Sequence, residues 1–367
     1  MMSEAAKRGV PLHDLILEDV RHGKLGQAYR RDFGDIYRFY LTEEQRERLA
    51  GMGPFKRFFW VVGWLSVNLL RRLSPNRRLL LVVAALMFVF RVDVNRPDLH
   101  LNLDTSRLAI FPVLLVLMLE LKDKLLARDE IEVARQVQLS LLPTSHPSID
   151  GWEVWSATTP ANDVGGDLID YLEGGGGRTG IALGDVAGKG MGAALLCAKL
   201  QATLRALAPS AQNLEALGAS LNGVLERSGL DNRYATLFYA EIAPGSSEVR
   251  YLNAGHNPAL LVRGETIEQL AASSLPLGML PGIAYTGGTA RLQAGDVLLL
   301  YSDGITEATN VLGEEYGLAR LCAAVKPAAS LPAEGAAKQI LESALRFVDG
   351  EKPHDDQSIL VLRRTGA

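Results

Sequence analysis

Four short motifs place aspartates at the ends of predicted strands or in turns, where carboxylates are available to bind cations. The motifs read DVGGDLID at 163–170, GDVAGKG at 184–190, SDGITE at 302–307 and HDDQS at 354–358. A single Asp-Gly turn is common at protein surfaces, so each motif alone also fits a surface turn. Asp185 and Asp303 stand out because each closely follows an apolar run, at 181–183 and 297–301. A carboxylate at the end of a buried strand costs free energy unless its charge is neutralised, which indicates bound cations.

The residue types favour Mn²⁺ or Mg²⁺, which prefer carboxylate and carbonyl oxygen. The motifs carry no His cluster or Cys pair of the kind that binds zinc. Two such ions can hold a water and a phosphoryl group together, so that hydrolysis needs no covalent nucleophile. The glycines of 184–190 do not form a nucleotide-binding P-loop, because Lys189 is followed by Gly190 instead of Ser or Thr.

Around these motifs, short β-branched and aromatic runs bounded by turn residues predict a strand-rich C-terminal domain. The predicted strands are 152–158, 166–173, 179–186, 234–242, 249–254, 259–262, 297–302 and 358–362, and the predicted helices are 191–207, 214–228, 318–325 and 333–348. Short turns between adjacent strands favour antiparallel sheets with helices added outside, an α+β arrangement.

The N-terminal third is different in composition. After a polar segment at 1–55 come three apolar stretches at 58–70, 79–90 and 108–119, each shorter than the roughly 20 residues of a clean membrane span. Arginines before the second stretch and lysines after the third fit a membrane hairpin with both ends cytoplasmic. The hairpin would anchor a cytoplasmic catalytic domain in the plasma membrane. The alternative is a helical core without membrane insertion.

A long helix is predicted over 120–143, because Ala, Leu, Glu, Lys, Arg and Gln dominate there until Pro143. Leu126, Val133, Val137 and Leu141 share one face. Periodicity alone leaves two interpretations open, packing on the following domain or a parallel coiled coil between two copies. The predicted organisation is therefore a polar segment at 1–55, an apolar helical region at 56–121, a linker helix at 122–147 and a catalytic domain at 148–367.

Bulk composition excludes several function classes. The 367 residues carry a formal net charge of -4, which gives no electrostatic reason to expect a nucleic-acid partner. The two cysteines, Cys197 and Cys322, are far apart and fit a reducing compartment. The polar N-terminus lacks the apolar stretch of a secretory signal peptide.

Taken together, the motifs resemble the PPM family of metal-dependent protein serine/threonine phosphatases, in its bacterial SpoIIE/RsbU-like branch. The matching segments occur in the family's order and are VGGD at 164–167, GDVAGKG at 184–190, NAGHNP at 253–258, LLLYSDGITEA at 298–308 and DDQS at 355–358. The segment EVARQVQLSLLP at 132–143 is similar to the linker helix of that branch.

The resemblance implies an αββα sandwich, in which two antiparallel sheets lie between layers of helices, and a two-metal centre between the sheets. The carboxylate ligands implied by motif matching are Asp167, Asp185, Asp303 and Asp355, joined by the backbone carbonyl of Val186. Asp355 is preferred over its neighbour Asp356.

Four further residues near the motifs carry less definite predictions. Asp163, Asp170 and Glu307 fit either the site or solvated turns. His256 fits a general acid, but the turn residues around it favour a structural role.

The resemblance also implies a partner, since the usual substrate in this branch is a phosphorylated anti-sigma-factor antagonist with a STAS-like fold. It further implies dimerisation and signal transmission through the linker helix. The competing hypothesis is a catalytically inert binding scaffold, and it is disfavoured because all four aspartates are present. A third hypothesis is a membrane sensor whose phosphatase is normally off.

Overall fold

The computed structural model describes residues 37, 39–89, 92–96, 99–103, 105–174, 176–227, 233–350 and 353–366. The chain divides into two compact units, 1–125 and 126–367. The polar segment predicted for 1–55 lies largely outside the described residues, which begin beyond position 36.

The N-terminal unit is built from helices and one hairpin. Its elements are α1 (Glu43–Ala50), α2 (Pro54–Arg72), α3 (Pro75–Val89), the antiparallel strands β1 (Val92–Arg96) and β2 (Leu99–Leu103), α4 (Thr105–Leu108) and the start of α5 (Ile110–Leu141). A capping box between Thr42 and Gln45 begins α1, and Pro54 occupies the first turn of α2. Arg77 of α3 pairs with Glu120 of α5 at 2.7 Å.

Apart from Leu108 and Ala109, the described residues of the three apolar stretches lie on α2, α3 and α5. Many large apolar side chains there, such as Phe59, Phe88 and Phe111, are exposed. In the ranges that the structure describes, none of the helices combines the length and the apolar character needed to span a bilayer. Membrane insertion of this region stays a prediction. The helix predicted for 120–143 is the second half of α5, which continues without a break from the third apolar stretch.

The C-terminal unit contains two five-stranded antiparallel sheets. Its strands are β3 (Trp152–Thr159), β4 (Asp167–Glu173), β5 (Thr179–Val186), β6 (Ala235–Ile242), β7 (Glu248–Ala254), β8 (Ala259–Arg263), β9 (Thr266–Leu270), β10 (Gly287–Arg291), β11 (Val297–Tyr301) and β12 (Gln357–Arg364). The first sheet has the order β10-β7-β6-β5-β4, and the second has the order β3-β12-β11-β8-β9.

Helices cover the outer face of each sheet. They are α6 (Met191–Leu207), α7 (Leu214–Glu226), the short α8 (Asp303–Thr306), α9 (Gly317–Ala328) and α10 (Ala333–Val348), with a 3₁₀ turn at Ala208–Ser210. One buried cluster joins α6 and α7 to the first sheet, a second fills the space between the sheets, and a third joins α9 and α10 to the second sheet. This layering confirms the predicted αββα sandwich.

Most predicted elements match the observed ones, and α6 and α10 have the predicted bounds. The strands β9 and β10 were not predicted. Strand β9 reads TIEQL and β10 reads GGTAR, so neither has the apolar run or regular alternation that marks a strand.

Candidate metal centre

The first two motif aspartates face each other across neighbouring strands. Asp167 begins β4, Asp185 lies one residue before the end of β5, and the antiparallel register pairs them directly. Directly opposed residues of an antiparallel pair project from the same face of the sheet. Ile169 and Leu183, which have the same strand parity, belong to the cluster between the two sheets. The two carboxylates therefore lie at the edge of that central layer.

The other two motifs come from the second sheet. Strand β11 is fully buried and is followed by Ser302 and Asp303, where the short helix α8 begins. Asp355 and Asp356 precede β12, which pairs with β11. The backbone N–H of Ser302 donates to the carbonyl of Ser358 at 3.0 Å, which holds the two segments together.

Burial and mutual repulsion raise the pKa values of these aspartates. Burial raises the pKa of Asp167 well above its ordinary value, and the charge of Asp185 adds to the effect. Burial raises the pKa of Asp185 to about 7, with further contributions from Asp303, Asp355 and Asp356. The pKa of Asp303 is raised by burial and then by Asp355. Carboxylates from all four motifs therefore lie within electrostatic reach of one another.

The neighbours Asp355 and Asp356 are in different environments. Asp356 is 4% exposed, and its carboxylate accepts backbone N–H groups of Ala161 at 2.8 Å, Gly166 at 2.5 Å and Asp167 at 3.4 Å. Asp355 has a half-exposed side chain with Oδ2 3.1 Å from Nζ of Lys189. The hydrogen bonds of Asp356 thus hold the segment before β4, whereas the carboxylate of Asp355 is half-exposed and contacts the ammonium group of Lys189.

Glycines allow these segments to approach closely. A Cβ on Gly304 would lie 2.1 Å from the carbonyl oxygen of Asp356, and one on Gly165 would lie 2.4 Å from its carboxylate. A Cβ on Gly166 would lie 3.1 Å from the Val186 carbonyl oxygen and 3.3 Å from Oδ1 of Asp185. The absence of side chains at these positions keeps open the space around the carboxylates.

The donor set fits a hard divalent cation in its chemistry. The Oδ2 atom of Asp167 is buried and accepts no hydrogen bond from any described residue, although a buried carboxylate oxygen needs a partner. Within the described part of the chain, no three ligating side chains are grouped closely enough to enclose an ion as they stand. The aspartates of the four motifs therefore repel one another electrostatically, but the described side chains do not form a complete coordination shell.

Asp170 is separate from this cluster. It is fully buried, and its two carboxylate oxygens each lie 2.7 Å from the guanidinium of Arg205. This pair joins β4 to α6 on the helix-covered face of the sheet, so it supports the fold. Asp163 and Glu307 are both exposed, and the pKa of Glu307 is raised by partial burial and then by Asp303.

His256 is buried, and Thr236 lies between its side chain and the backbone of Asp185. Its Nδ1 lies 2.8 Å from the hydroxyl of Thr236, which lies 3.3 Å from the carbonyl oxygen of Asp185, and its backbone N–H donates to Asn253. Burial lowers the pKa of His256 to about 4, so the imidazole is neutral at physiological pH. These contacts support the structural role over the general acid.

Sequence motifs did not indicate the contact between the linker helix and the first motif. The side chain of Gln138 on α5 donates to the carbonyl of Gly165 at 2.6 Å and accepts its N–H at 2.9 Å. Gln138 and Leu139 line a cleft together with Asp167 and Asp356. The end of α5 is held by Gln201 of α6, which donates to the carbonyl of Leu141 at 2.8 Å.

Comparison with known proteins gives a consistent result. Residues 175–365 match the family model described as stage II sporulation protein E (SpoIIE). The chain is similar to phosphoserine phosphatase RsbU of Bacillus subtilis (strain 168), with 30% identity over 241 residues that cover 65% of this chain and 70% of RsbU. It is also similar to protein IcfG of Synechocystis sp., with 27% identity over 266 residues. That match covers 65% of this chain but only 42% of IcfG, so the chain spans less than half of that relative.

Solved structures share the fold. The SiaA-PP2C domain of Pseudomonas aeruginosa superposes with a TM-score of 0.57 at 18% identity, covering 66% of this chain and 98% of that domain. The PP2C phosphatase domain of SpoIIE from Bacillus subtilis, with a fragment of its regulatory domain, gives a TM-score of 0.50 at 23% identity. That superposition covers 59% of this chain and 64% of that one. The C-terminal unit therefore has a PP2C-type fold.

Proposed function

The chain belongs to the SpoIIE family, and from that membership we propose that its C-terminal unit is a metal-dependent phosphatase acting on phosphoserine or phosphothreonine of a regulatory protein. The observation that carries this proposal is the mutual repulsion among aspartates of the four motifs, which together with burial raises the pKa values of Asp167, Asp185 and Asp303. Unneutralised carboxylates in such a place repel one another, and a divalent cation removes that repulsion.

We assign Asp167, Asp185, Asp303 and Asp355 as carboxylate ligands of two Mn²⁺ or Mg²⁺ ions, with the carbonyl of Val186 as a further ligand. Bound ions of this kind supply positive charge that activates water and neutralises the phosphoryl group. Asp356 is assigned a different task, because three backbone N–H groups already engage its carboxylate. It positions Asp167 by fixing the backbone immediately before β4.

Regulation is proposed to pass through the linker helix α5. The side chain of Gln138 is hydrogen-bonded to both the N–H and the carbonyl of Gly165, which lies two residues before Asp167. A displacement of α5 therefore moves the segment that carries a ligand. On the same helix, Leu126, Val133 and Val137 are 53%, 60% and 56% exposed. Their exposure supports a parallel coiled coil between two copies over packing on the catalytic domain.

The proposed partner is a phosphorylated anti-sigma-factor antagonist with a STAS-like fold, because this is the usual substrate in the SpoIIE/RsbU-like branch. RsbU, with 30% identity, carries the name phosphoserine phosphatase. A cytoplasmic catalytic domain anchored in the plasma membrane is part of the same proposal, since the apolar side chains exposed on α2, α3 and α5 need a covering environment.

Phosphate release from matched phosphoserine, phosphothreonine and phosphotyrosine peptides tests the activity, with Mn²⁺ or with excess chelator. The proposal predicts Mn²⁺-dependent release from phosphoserine or phosphothreonine and little from phosphotyrosine. If neither the full chain nor residues 126–367 releases phosphate from any peptide, while Mn²⁺ also fails to bind, the inert scaffold becomes the better account. Higher activity of residues 126–367 than of the full chain would indicate a phosphatase held off by its N-terminal unit.

A further inference from the structure

An arginine outside the four motifs lies beside the segment that follows Asp185, between β5 and α6. Arg233 stands two residues before β6, next to Tyr234, whose carbonyl accepts the backbone N–H of Ala187 at 2.9 Å. The sheet register also pairs Val186 with Ala235. The chain direction of β6 therefore brings Arg233 alongside residues 187–192.

Two glycines contact the guanidinium of Arg233: Gly188 lies between β5 and α6, and Gly192 lies in the first turn of α6. A Cβ on Gly192 would lie 2.5 Å from Nη2 and 2.7 Å from Cζ of Arg233, which is closer than any side chain permits. A Cβ on Gly188 would lie 3.4 Å from Nη1. The plane of the guanidinium thus packs against bare backbone at the start of α6.

The guanidinium has unused hydrogen-bonding capacity. Nη1 of Arg233 is buried and has no hydrogen-bond partner among the residues that the structure describes. Buried charged donors without a partner are rare in native proteins and need an explanation, of which an anion bound beside the guanidinium is one. The neighbouring cation Lys189 is already engaged, since its Nζ lies 3.1 Å from Asp355 and 2.7 Å from the carbonyl of His354.

We propose that Arg233 is the side chain that binds the phosphoryl oxygens of the substrate, an inference that rests on the proposed phosphatase function. A guanidinium presents a planar fork of donors that matches two oxygens of a phosphate, which a lysine ammonium does not. The start of α6, a helix of 17 residues, adds a favourable field for an anion at the same place. The class of ligand is a phosphomonoester dianion.

Inorganic phosphate and an aryl phosphate are the probes for this role, used with the full chain in saturating Mn²⁺. Arg233→Met is expected to raise both the KM for the aryl phosphate and the dissociation constant of phosphate about tenfold, as expected for losing hydrogen bonds to a charged group. The affinity for Mn²⁺ should not change. Arg233→Lys should give intermediate values, because it keeps the charge and loses the fork.

Gly192→Ala tests the position of the guanidinium without removing the charge. The added methyl group would lie 2.5 Å from Nη2 of Arg233 and forces the end of this flexible side chain to shift, so phosphate affinity should fall, but by less than in Arg233→Met. Arg346→Met on α10 is the control for loss of one positive charge, since Arg346 is exposed and its partner Glu342 lies 3.9 Å away. This control should match the wild type.

A purely structural arginine would give another pattern, in which Arg233→Met lowers the melting temperature while KM and phosphate affinity stay at wild-type values. That result would overturn the inference. Calorimetric titration of phosphate distinguishes its failure from failure of the proposed function. If the wild type hydrolyses no substrate, the phosphatase proposal fails. The same titration still decides the role of Arg233, because absent phosphate binding, or equal binding by wild type and Arg233→Met, would refute it.

Discussion

Replacing Asp185 with asparagine is expected to stabilise the metal-free protein while removing its response to metal. Asp185 lies opposite Asp167 and is repelled by Asp303 and Asp355, so its ionised form is disfavoured without a cation. A carboxyl group whose pKa is raised on folding stabilises the fold at low pH. That contribution is lost as the pH rises through the folded-state pKa.

The size of the effect follows from the pKa. A rise from 3.8 to about 7 is roughly three pH units, which corresponds to about 4 kcal/mol of lost stability at pH 8. Asparagine has nearly the same shape and no charge, but its buried amide still costs some desolvation. With that cost at about 2 kcal/mol, a net gain of about 2 kcal/mol remains. For a unit of this size, 1 kcal/mol shifts the melting temperature by about 2–4 °C, so we expect a gain of about 4–8 °C at pH 8.

Thermal unfolding in excess chelator, measured from pH 5 to pH 8, tests this reasoning. The wild type should lose stability as the pH rises towards about 7, and Asp185→Asn should lose less, so the two curves separate with increasing pH. Adding Mn²⁺ should stabilise the wild type far more than the variant. A variant that melts below the wild type at pH 8, or a difference that does not grow with pH, would refute the electrostatic account of the site.

Three further substitutions test other parts of the structure. Gln138→Ala removes both hydrogen bonds to the first motif, at a cost of about 1 kcal/mol each, and should change kcat. Gln136→Ala, on the exposed face of the same helix, is the control and should leave kcat unchanged. Equal steady-state kinetics of the two variants would argue against control through α5. Arg205→Met removes the ion-pair partner of buried Asp170 and should destabilise the C-terminal unit by about 3–5 kcal/mol in denaturant titration, with unchanged Mn²⁺ affinity. A loss of metal binding at full stability would contradict the structural role of Asp170. His256→Gln should keep kcat within about tenfold with the same pH–rate profile, since a lost general acid typically costs 10²–10⁴-fold and removes a limb of that profile.

The candidate aspartates could be identified from the sequence alone, because the residues immediately before them mark them out. Asp185 and Asp303 each follow a run of apolar residues that predicts a buried strand, and a charge in that position indicates a function. The helices α6 and α10 were predictable because each has a continuous run of helix-forming residues between breakers.

What escaped prediction depends on tertiary contacts. Asp355 and Asp356 are adjacent and chemically identical, and only the packing of the 161–167 segment shows which of them is engaged by backbone N–H groups. Arg233 belongs to no motif, and only the pairing of β6 with β5 brings it to the glycine-rich loop. The continuity of α5 from Ile110 to Leu141 was not predicted, because its apolar first part suggested a separate membrane segment.

The proposed two-metal centre is tested most directly by the rate of aryl phosphate hydrolysis as a function of Mn²⁺ concentration, for the wild type, Asp303→Asn and Asp163→Asn. Asp303 is in the proposed ligand set, whereas Asp163 is an exposed residue of the first motif and serves as the control. We expect a wild-type rate that requires Mn²⁺ and a similar rate for Asp163→Asn. For Asp303→Asn we expect a loss of about 100-fold or more, because a bound metal contributes several kcal/mol to the transition state. A wild-type rate for Asp303→Asn at saturating Mn²⁺ would contradict the ligand assignment and with it the proposed two-metal centre.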